Sequence, residues 1–359
     1  MSIHFHPIPV KEVRKETPDC VSVLFGVPDH LQSDFAFVQG QSLTMRAFIN
    51  GEEVRRTYSI CSSPLDREWR VAIKKVDGGL FSAFANDQLK KGDVLEVMQP
   101  VGKFYTPLDP GNKKKYVAFA AGSGITPVLS LIKTTLATEP ESSFTLVYGN
   151  RTRGSIIFFE ALEALKNRYM DRFTLLHILS REKTDAPVSF GRISEEKLRA
   201  LSTLVDYGTT DEFFLCGPEE MIFTVKNFLE GEGINRKKIH FELFTSPGQP
   251  KSVVRTKELE GNSGPASKIT VKLDGRSFEF DLPLSSDVSI LDAALKQGAD
   301  LPYACKGGMC CTCKARLVEG EVMMDVHWGL DEEEIELGYI LTCQSHPKTG
   351  NVVVDFDVK

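Results

Sequence analysis

The 359-residue chain is 42% hydrophobic and 26% charged, the balance of a well-cored globular protein of two or three domains. Its net charge of −6 argues against nucleic acid as the main partner, no apolar run approaches the ~18 residues that span a membrane, and the Met1–His6 start lacks the basic and apolar regions of a secretory signal, so a cytoplasmic protein with no membrane partner is expected. In that setting eight cysteines, five of them between Cys305 and Cys343, point to metal binding or catalysis rather than to disulfides.

Residues 1–110 read as a small antiparallel β-barrel or sandwich. Short apolar runs at Val21–Phe25, Ser42–Arg46, Arg55–Ile60, Trp69–Ile73 and Val94–Met98 are separated by turn signals at Asn50-Gly51, Asp77–Gly79 and Lys91–Asp93. One helix is expected over Leu80–Leu89.

Residues 111–246 alternate strand and helix, which calls for an α/β domain with a parallel sheet and helices on both faces. Strands are expected at Tyr116–Ala120, Phe144–Tyr148, Phe173–Leu179, Glu212–Cys216 and Ile239–Leu243. The first helix is expected to open with Thr126 as N-cap and Pro127 at the first helical position. Others follow over Ile156–Tyr169, from Ser194, and over Pro218–Leu229 with Gly231 as the stop.

Residues 247–267 are polar and rich in Gly, Pro and Ser, the composition of a linker. Residues 268–359 read as a small α+β unit. Ile269–Leu273 and Ser277–Asp281 flank Asp274-Gly275 as a hairpin. Ser289–Asp292 opens a helix with a capping pattern, and Gly298 ends it.

The strongest motif follows. Cys305, Cys310 and Cys313 stand in the pattern Cys-x₄-Cys-x₂-Cys, with Cys343 farther along. This is the plant-type [2Fe–2S] spacing. Soft thiolates suit such a cluster, and a loop softened by Gly307 and Gly308 can close three of them on one small object. Zinc would want two separated Cys-x₂-Cys pairs or histidines, and neither His327 nor His346 completes a familiar zinc spacing. Cys311 does not fit the ligand spacing and is read as a bystander.

Gly122, Ser123, Gly124 and Thr126 lie between an expected strand and helix, where backbone N–H groups can meet a pyrophosphate. The third glycine of the dinucleotide fingerprint is missing, so alone the motif also reads as an ordinary turn. Cys216, Gly217 and Pro218 end another strand of the same sheet, the edge at which open α/β sheets bind ligands. Arg151, Ser180 and Arg181 end the second and third strands, and no carboxylate there is set to hold a ribose 2′-hydroxyl. Arginines suit a 2′-phosphate, so NADPH is expected, with NADH still open. Arg56–Ser59 could present a guanidinium and an aromatic ring to a ligand, although spacing alone favours a plain strand.

Together, Arg56-x-Tyr58-Ser59, Gly78–Ser82, Gly122–Pro127, Cys216-Gly217-Pro218 and the cysteine loop resemble the ferredoxin–NADP reductase family fused to a plant-type, β-grasp-like ferredoxin domain. Glu53–Cys61 and Tyr148–Thr152 look like the reductase subunits of phenylacetyl-CoA epoxidases. The resemblance implies three cofactors: FAD, a nicotinamide dinucleotide and a [2Fe–2S] cluster. Arg56, Thr57, Tyr58 and Ser59 would contact the flavin, Tyr58 by stacking and Ser59 near N5. Ala72, Ile73 and Lys74 would line its ribityl and phosphate side, and Gly79, Leu80, Phe81 and Ser82 would meet its phosphates. That helix opening suits a pyrophosphate, which favours FAD over FMN. Cys216 would sit near the nicotinamide, and Glu242 and Phe244 would approach the flavin. Ser59, Cys216 and Glu242 are the catalytic candidates.

The implied activity is an NAD(P)H-dependent electron-transfer reductase. A flavin takes a hydride and releases electrons singly, and a plant-type cluster near about −400 mV can pass them to an oxygenase or epoxidase component. Alternatives are a reductase serving an aromatic-ring oxygenase or a hybrid-cluster protein, and a non-enzymatic redox sensor. The linker would either let the cluster domain move or simply tether it.

Overall fold

A computed structural model describes residues 4–184, 186–244 and 265–358. The chain divides into two compact units, Phe5–Phe244 and a second within Thr245–Lys359.

The first unit opens with six strands: β1 (Phe5–Thr17), β2 (Cys20–Phe25), β3 (Ser42–Ile49), β4 (Glu52–Ser59), β5 (Trp69–Lys74) and β6 (Val94–Met98). They pair in the order β4-β3-β6-β1-β2-β5, and an antiparallel bridge from Ile60 to Val71 links the two ends. Closure removes exposed edges. Alternate residues point inward, as a half-buried sheet requires: Val21, Val23 and Phe25, Leu43 and Met45, Val71 and Ile73, Leu95 and Val97 form one core. The Asn50-Gly51 turn places both residues at positive φ, which fits the twist of the β3–β4 hairpin. Strand β1 was not foreseen. Pro7 and Pro9 interrupt its pattern, yet it serves two neighbours, β6 through its first half and β2 through its second. Helix α1 (Leu80–Asp87) plugs the barrel with Phe81 and Ala85.

The same unit continues into a parallel sheet of β7 (Lys115–Ala121), β8 (Ser143–Asn150), β9 (Phe173–Leu179), β10 (Glu212–Gly217) and β11 (Ile239–Leu243). Strands covered on both faces need continuous apolar runs, and Tyr116–Ala120 and Phe213–Gly217 are buried throughout. The helices are α2 (Ile125–Thr138), α3 (Phe159–Arg168), α4 (Glu195–Leu201) and α5 (Glu219–Gly231). Two helix starts differ from expectation. Helix α2 begins at Ile125, so Thr126 lies in the first turn and its hydroxyl donates to the Ser123 carbonyl at 3.0 Å instead of capping. Helix α3 begins at Phe159, because Phe158 adopts φ +62° and ends the preceding turn. Helix α2 is buried along most of its length and pinned to the barrel: Ser130 Oγ donates to Ser62 O at 2.6 Å, and the Ser63 and Thr134 hydroxyls lie 2.9 Å apart.

The second unit contains β12 (Ala266–Leu273), β13 (Arg276–Pro283), α6 (Ile290–Lys296), β14 (Lys314–Glu319), β15 (Val322–Met324), α7 (Glu332–Glu336), β16 (Tyr339–Leu341), β17 (Ser345–Pro347) and β18 (Asn351–Asp355). The main sheet runs β13-β12-β18-β14-β16, with β12 and β18 parallel, and β15 pairs with β17 separately. Ile290, Leu291 and Ala294 of α6 pack with Ile269, Val271, Val352 and Val354. Ser289 caps α6 by accepting from the Asp292 N–H at 3.1 Å. The expected linker falls mostly outside the described residues, and β12 begins inside its last part, where Ala266 and Ser267 pair with Pro283 and Leu282.

Candidate functional site

Within the parallel sheet the order β11-β10-β7-β8-β9 reverses between β7 and β10. The chain leaves β7 toward β8 and β9, then returns on the other side. The carboxyl ends of β7 and β10 therefore flank a crevice of the kind that binds nucleotides. Gly122, Ser123 and Gly124 leave β7 in a tight turn, and Gly217-Pro218 leads β10 into α5. The two ends approach so closely that a Cβ on Gly124 would lie 2.0 Å from the Cys216 carbonyl oxygen. Gly122 takes φ +53°, and its carbonyl accepts from the Tyr148 hydroxyl at 2.9 Å. These glycine-lined backbone turns fit a nucleotide pyrophosphate, which needs close main-chain approach.

Beside the crevice, Ser59 at the end of β4 donates to Glu242 Oε2 at 3.0 Å, across 183 residues of chain. Glu242 pairs in register with Cys216. Cys216 is fully buried; burial, and then the Glu242 charge, pushes its thiol well above the ordinary range. The three residues singled out as catalytic thus gather around Glu242, with Cys216 as a neutral thiol.

The remaining barrel residues surround that point. Tyr58 is half-buried, its ring 5.7 Å from Phe81, and burial raises its hydroxyl pKa. Thr57 Oγ1 lies 3.0 Å from Thr44 Oγ1, and Arg56 Nη1 donates to the Arg55 carbonyl at 2.6 Å. Lys74 pairs with Asp19 at 3.5 Å, and its ammonium lies 3.9 Å from where a Gly122 Cβ would stand. Strand β5 and the Gly122–Gly124 turn are therefore neighbours. Ala72, Ile73 and Phe81 are buried, so their side chains support this surface from beneath. At the start of α1, Ser82 Oγ accepts from Val76 N and donates to Gly79 O, both at 3.1 Å, which braces the turn; Leu80 is exposed.

At the ends of β8 and β9, Arg181 N donates to Arg151 O at 2.8 Å, and Ser180 N donates to Asn150 O at 2.9 Å. Both residues are exposed. Phe244, just after β11, is 40% exposed. Tyr148 and Asp19 were missed as site residues. Their contacts to Gly122 and Lys74 come from strand register, which no local motif announces.

In the second unit the cysteines lie in and opposite the loop between α6 and β14. They come as two pairs: the Cys310 thiol donates to Cys305, and the Cys313 thiol to Cys343. Among the described residues no three His, Cys, Asp or Glu side chains close on a single-ion position. Two thiolate pairs fit a two-iron cluster, which takes two sulfurs per iron. The Cys310 hydrogen bond, helped by main-chain N–H groups and opposed by burial, holds Cys305 below the ordinary thiol range, while Cys310 and Cys313, as the donors of their pairs, are pushed well above it; Gly307 N donates to the Cys305 sulfur at 3.3 Å. Gly308, at φ +77°, leaves no room for a side chain, since a Cβ would stand 2.7 Å from Val326 Cγ2. Cys311 also has positive φ, and its thiol points to the Gly329 carbonyl at 2.8 Å. His346 pairs with Asp325 at 3.2 Å.

Residues 7–105 match the family model for an oxidoreductase FAD-binding domain, 119–227 that for an oxidoreductase NAD-binding domain, and 271–348 that for a 2Fe-2S iron-sulfur cluster binding domain. The chain is 47% identical, over 99% of its length and 98% of the relative's, to the E subunit of the 1,2-phenylacetyl-CoA epoxidase of Escherichia coli K12. It is 35% identical, over 97% and 95%, to the ferredoxin reductase component of a Rhodococcus rhodochrous 3-ketosteroid-9-alpha-monooxygenase. Among solved structures, phthalate dioxygenase reductase shares the fold with a TM-score of 0.59 at 23% identity, covering 98% of both chains.

Proposed function

Because the chain belongs to the family of oxygenase reductase components that join FAD-binding, NAD-binding and 2Fe-2S domains, we propose that it moves electrons from NADPH through FAD and the cluster to the catalytic component of a phenylacetyl-CoA epoxidase. It is an oxidoreductase that binds FAD, a nicotinamide nucleotide and a [2Fe–2S] cluster. The observation that carries the reading is the Ser59–Glu242 contact beside Cys216, which joins the barrel to the end of the parallel sheet.

When bound, FAD supplies the conversion of a two-electron hydride into single electrons. The chain's own residues bind and orient. Tyr58 offers a ring to one flavin face, and Arg56, Lys74 and the Gly79–Ser82 turn offer charge and N–H groups to its phosphates. The Gly122–Gly124 turn and the N-terminus of α2 receive the nucleotide pyrophosphate, and Arg151, Ser180 and Arg181 take the 2′-phosphate. Cys216, neutral and fully buried beside Glu242, backs the place proposed for the nicotinamide. Ser59 holds a proton on its hydroxyl, directed at Glu242, where the flavin edge and nicotinamide would meet. Cys305, Cys310, Cys313 and Cys343 hold the cluster. We assign residues 1–110 to flavin, 111–246 to nucleotide, 247–267 to a linker and 268–359 to the cluster.

A cytoplasmic setting accompanies this reading. No disulfide joins any of the eight cysteines, and no helix among the described residues is long and apolar enough to cross a membrane. The test is reconstitution. Purified chain, NADPH and the epoxidase's catalytic component should consume oxygen only when phenylacetyl-CoA is present. Equal stimulation by an unrelated ring-oxygenase component would overturn the partner assignment.

A further inference from the structure

Gln344 follows the fourth cysteine and is 2% exposed. Its side-chain nitrogen lies 2.8 Å from the Lys306 carbonyl, 3.0 Å from the Cys343 carbonyl and 3.5 Å from the Cys343 sulfur. Two carbonyl oxygens facing one end of the amide require the NH₂ there, so the flip is settled by chemistry. The NH₂ carries two hydrogens for three acceptors, so the sulfur faces the N–H end and shares one of those hydrogens with a carbonyl. Lys306 belongs to the loop that carries Cys305, Cys310 and Cys313, whereas Cys343 lies in the turn between β16 and β17. One buried side chain thus spans the two segments that must converge. Its stem is fixed as well, because a Cβ on Gly308 would stand 3.3 Å from Gln344 Cγ.

We propose that Gln344 is a positioning residue for the iron–sulfur centre: its amide locks Cys343 to the cluster loop and donates to the Cys343 sulfur, raising the cluster's reduction potential. Reduction adds negative charge to the cluster and its thiolates. A donor aimed at one sulfur stabilises that form more than the oxidised one, and hydrogen bonds to sulfur are a recognised lever on such potentials. The proposal rests on the reading of Cys343 as a ligand.

The experiment is a redox titration of the anaerobic holoprotein, with the reduced cluster followed by paramagnetic resonance, for wild type and Gln344→Leu. Leucine keeps the volume and removes every donor. The expected result is a more negative midpoint in Gln344→Leu at equal iron and acid-labile sulfide content. An unchanged midpoint at full cluster content overturns the proposal. A second measurement needs no variant. Wild type labelled with ¹⁵N in its glutamine side-chain amides should show a hyperfine coupling from one such amide to the reduced cluster. Gln297, at the end of α6, is the only other glutamine among residues 265–358. Absence of any coupling overturns the proposal, even if Gln344→Leu fails to assemble a cluster. Failure of the underlying reading shows separately, as a native cluster spectrum in Cys343→Ser.

Discussion

At the carboxyl end of β10, Cys216 is sealed from water beside Glu242, and both effects keep its thiol protonated. In the loop after α6, Cys305 accepts hydrogen bonds from Cys310 and from main-chain N–H groups and its pKa falls, while its donor Cys310 is pushed well above the ordinary range. The same side chain is thus a neutral buried thiol in the first place, and in the second one of a pair in which Cys310 donates the hydrogen bond and Cys305 is eased toward the charged form. The difference comes from the donors around the sulfur. Cys216 meets a carboxylate neighbour and no compensating donor strong enough to offset burial, whereas the cluster loop turns its N–H groups inward. The sites also differ in assembly. The first gathers residues from β4, β5, β7, β10 and β11, and the second draws three of its four sulfurs from one loop.

Substitutions at the two sites should therefore fail differently. The largest effect is expected for Cys343→Ser: the visible iron–sulfur spectrum disappears while NADPH still bleaches the flavin. Loss of both activities together would break the claim that the sites are separable. Arg181→Ala should lower kcat/KM for NADPH by about 10–100-fold, the worth of one hydrogen bond to a charged group, and leave NADH nearly unchanged. Parallel losses with both coenzymes would remove Arg181 from the 2′-phosphate. Ser59→Ala should slow flavin reduction in stopped flow by about tenfold, since one hydrogen bond is lost, with cluster content intact. A wild-type rate would mean that the Ser59–Glu242 contact is only a fastening between the barrel and the sheet.

The smallest effect concerns burial elsewhere in the same sheet. His177 on β9 has its pKa lowered below 6.5 by burial, only partly opposed by Glu163. The unfolded chain then binds more protons than the native one, so stability falls as pH drops through 6.5 toward the depressed value. Urea melts of wild type between pH 7.5 and 5.5 should show that slope, and His177→Gln should flatten it. An identical slope in the variant would mean that other groups set it.

The contrast in assembly also explains what a reader of the sequence can see. Cys305, Cys310 and Cys313 announce themselves because their spacing is local. The Gly122–Gly124 turn is visible as a strand-to-helix joint, but its purpose depends on β10 lying beside β7, which only the topology reveals. Ser59 and Glu242 entered separately through family resemblance, and the contact between them spans too much chain for any pattern to suggest. Strand β1 was hidden by its prolines, and the start of α3 by the left-handed Phe158. Gln344 carries no motif at all; its meaning lies in three acceptors that the fold brings to one amide.

The central claim is that electrons entering as hydride at the first site reach the cluster of the second on one polypeptide. Anaerobic holoprotein mixed with one equivalent of NADPH and frozen at intervals tests it directly. Flavin absorbance should fall first, and the paramagnetic signal of a reduced [2Fe–2S] cluster should then grow at the flavin's expense. A protein that reduces its flavin fully yet never develops that signal would contradict the account.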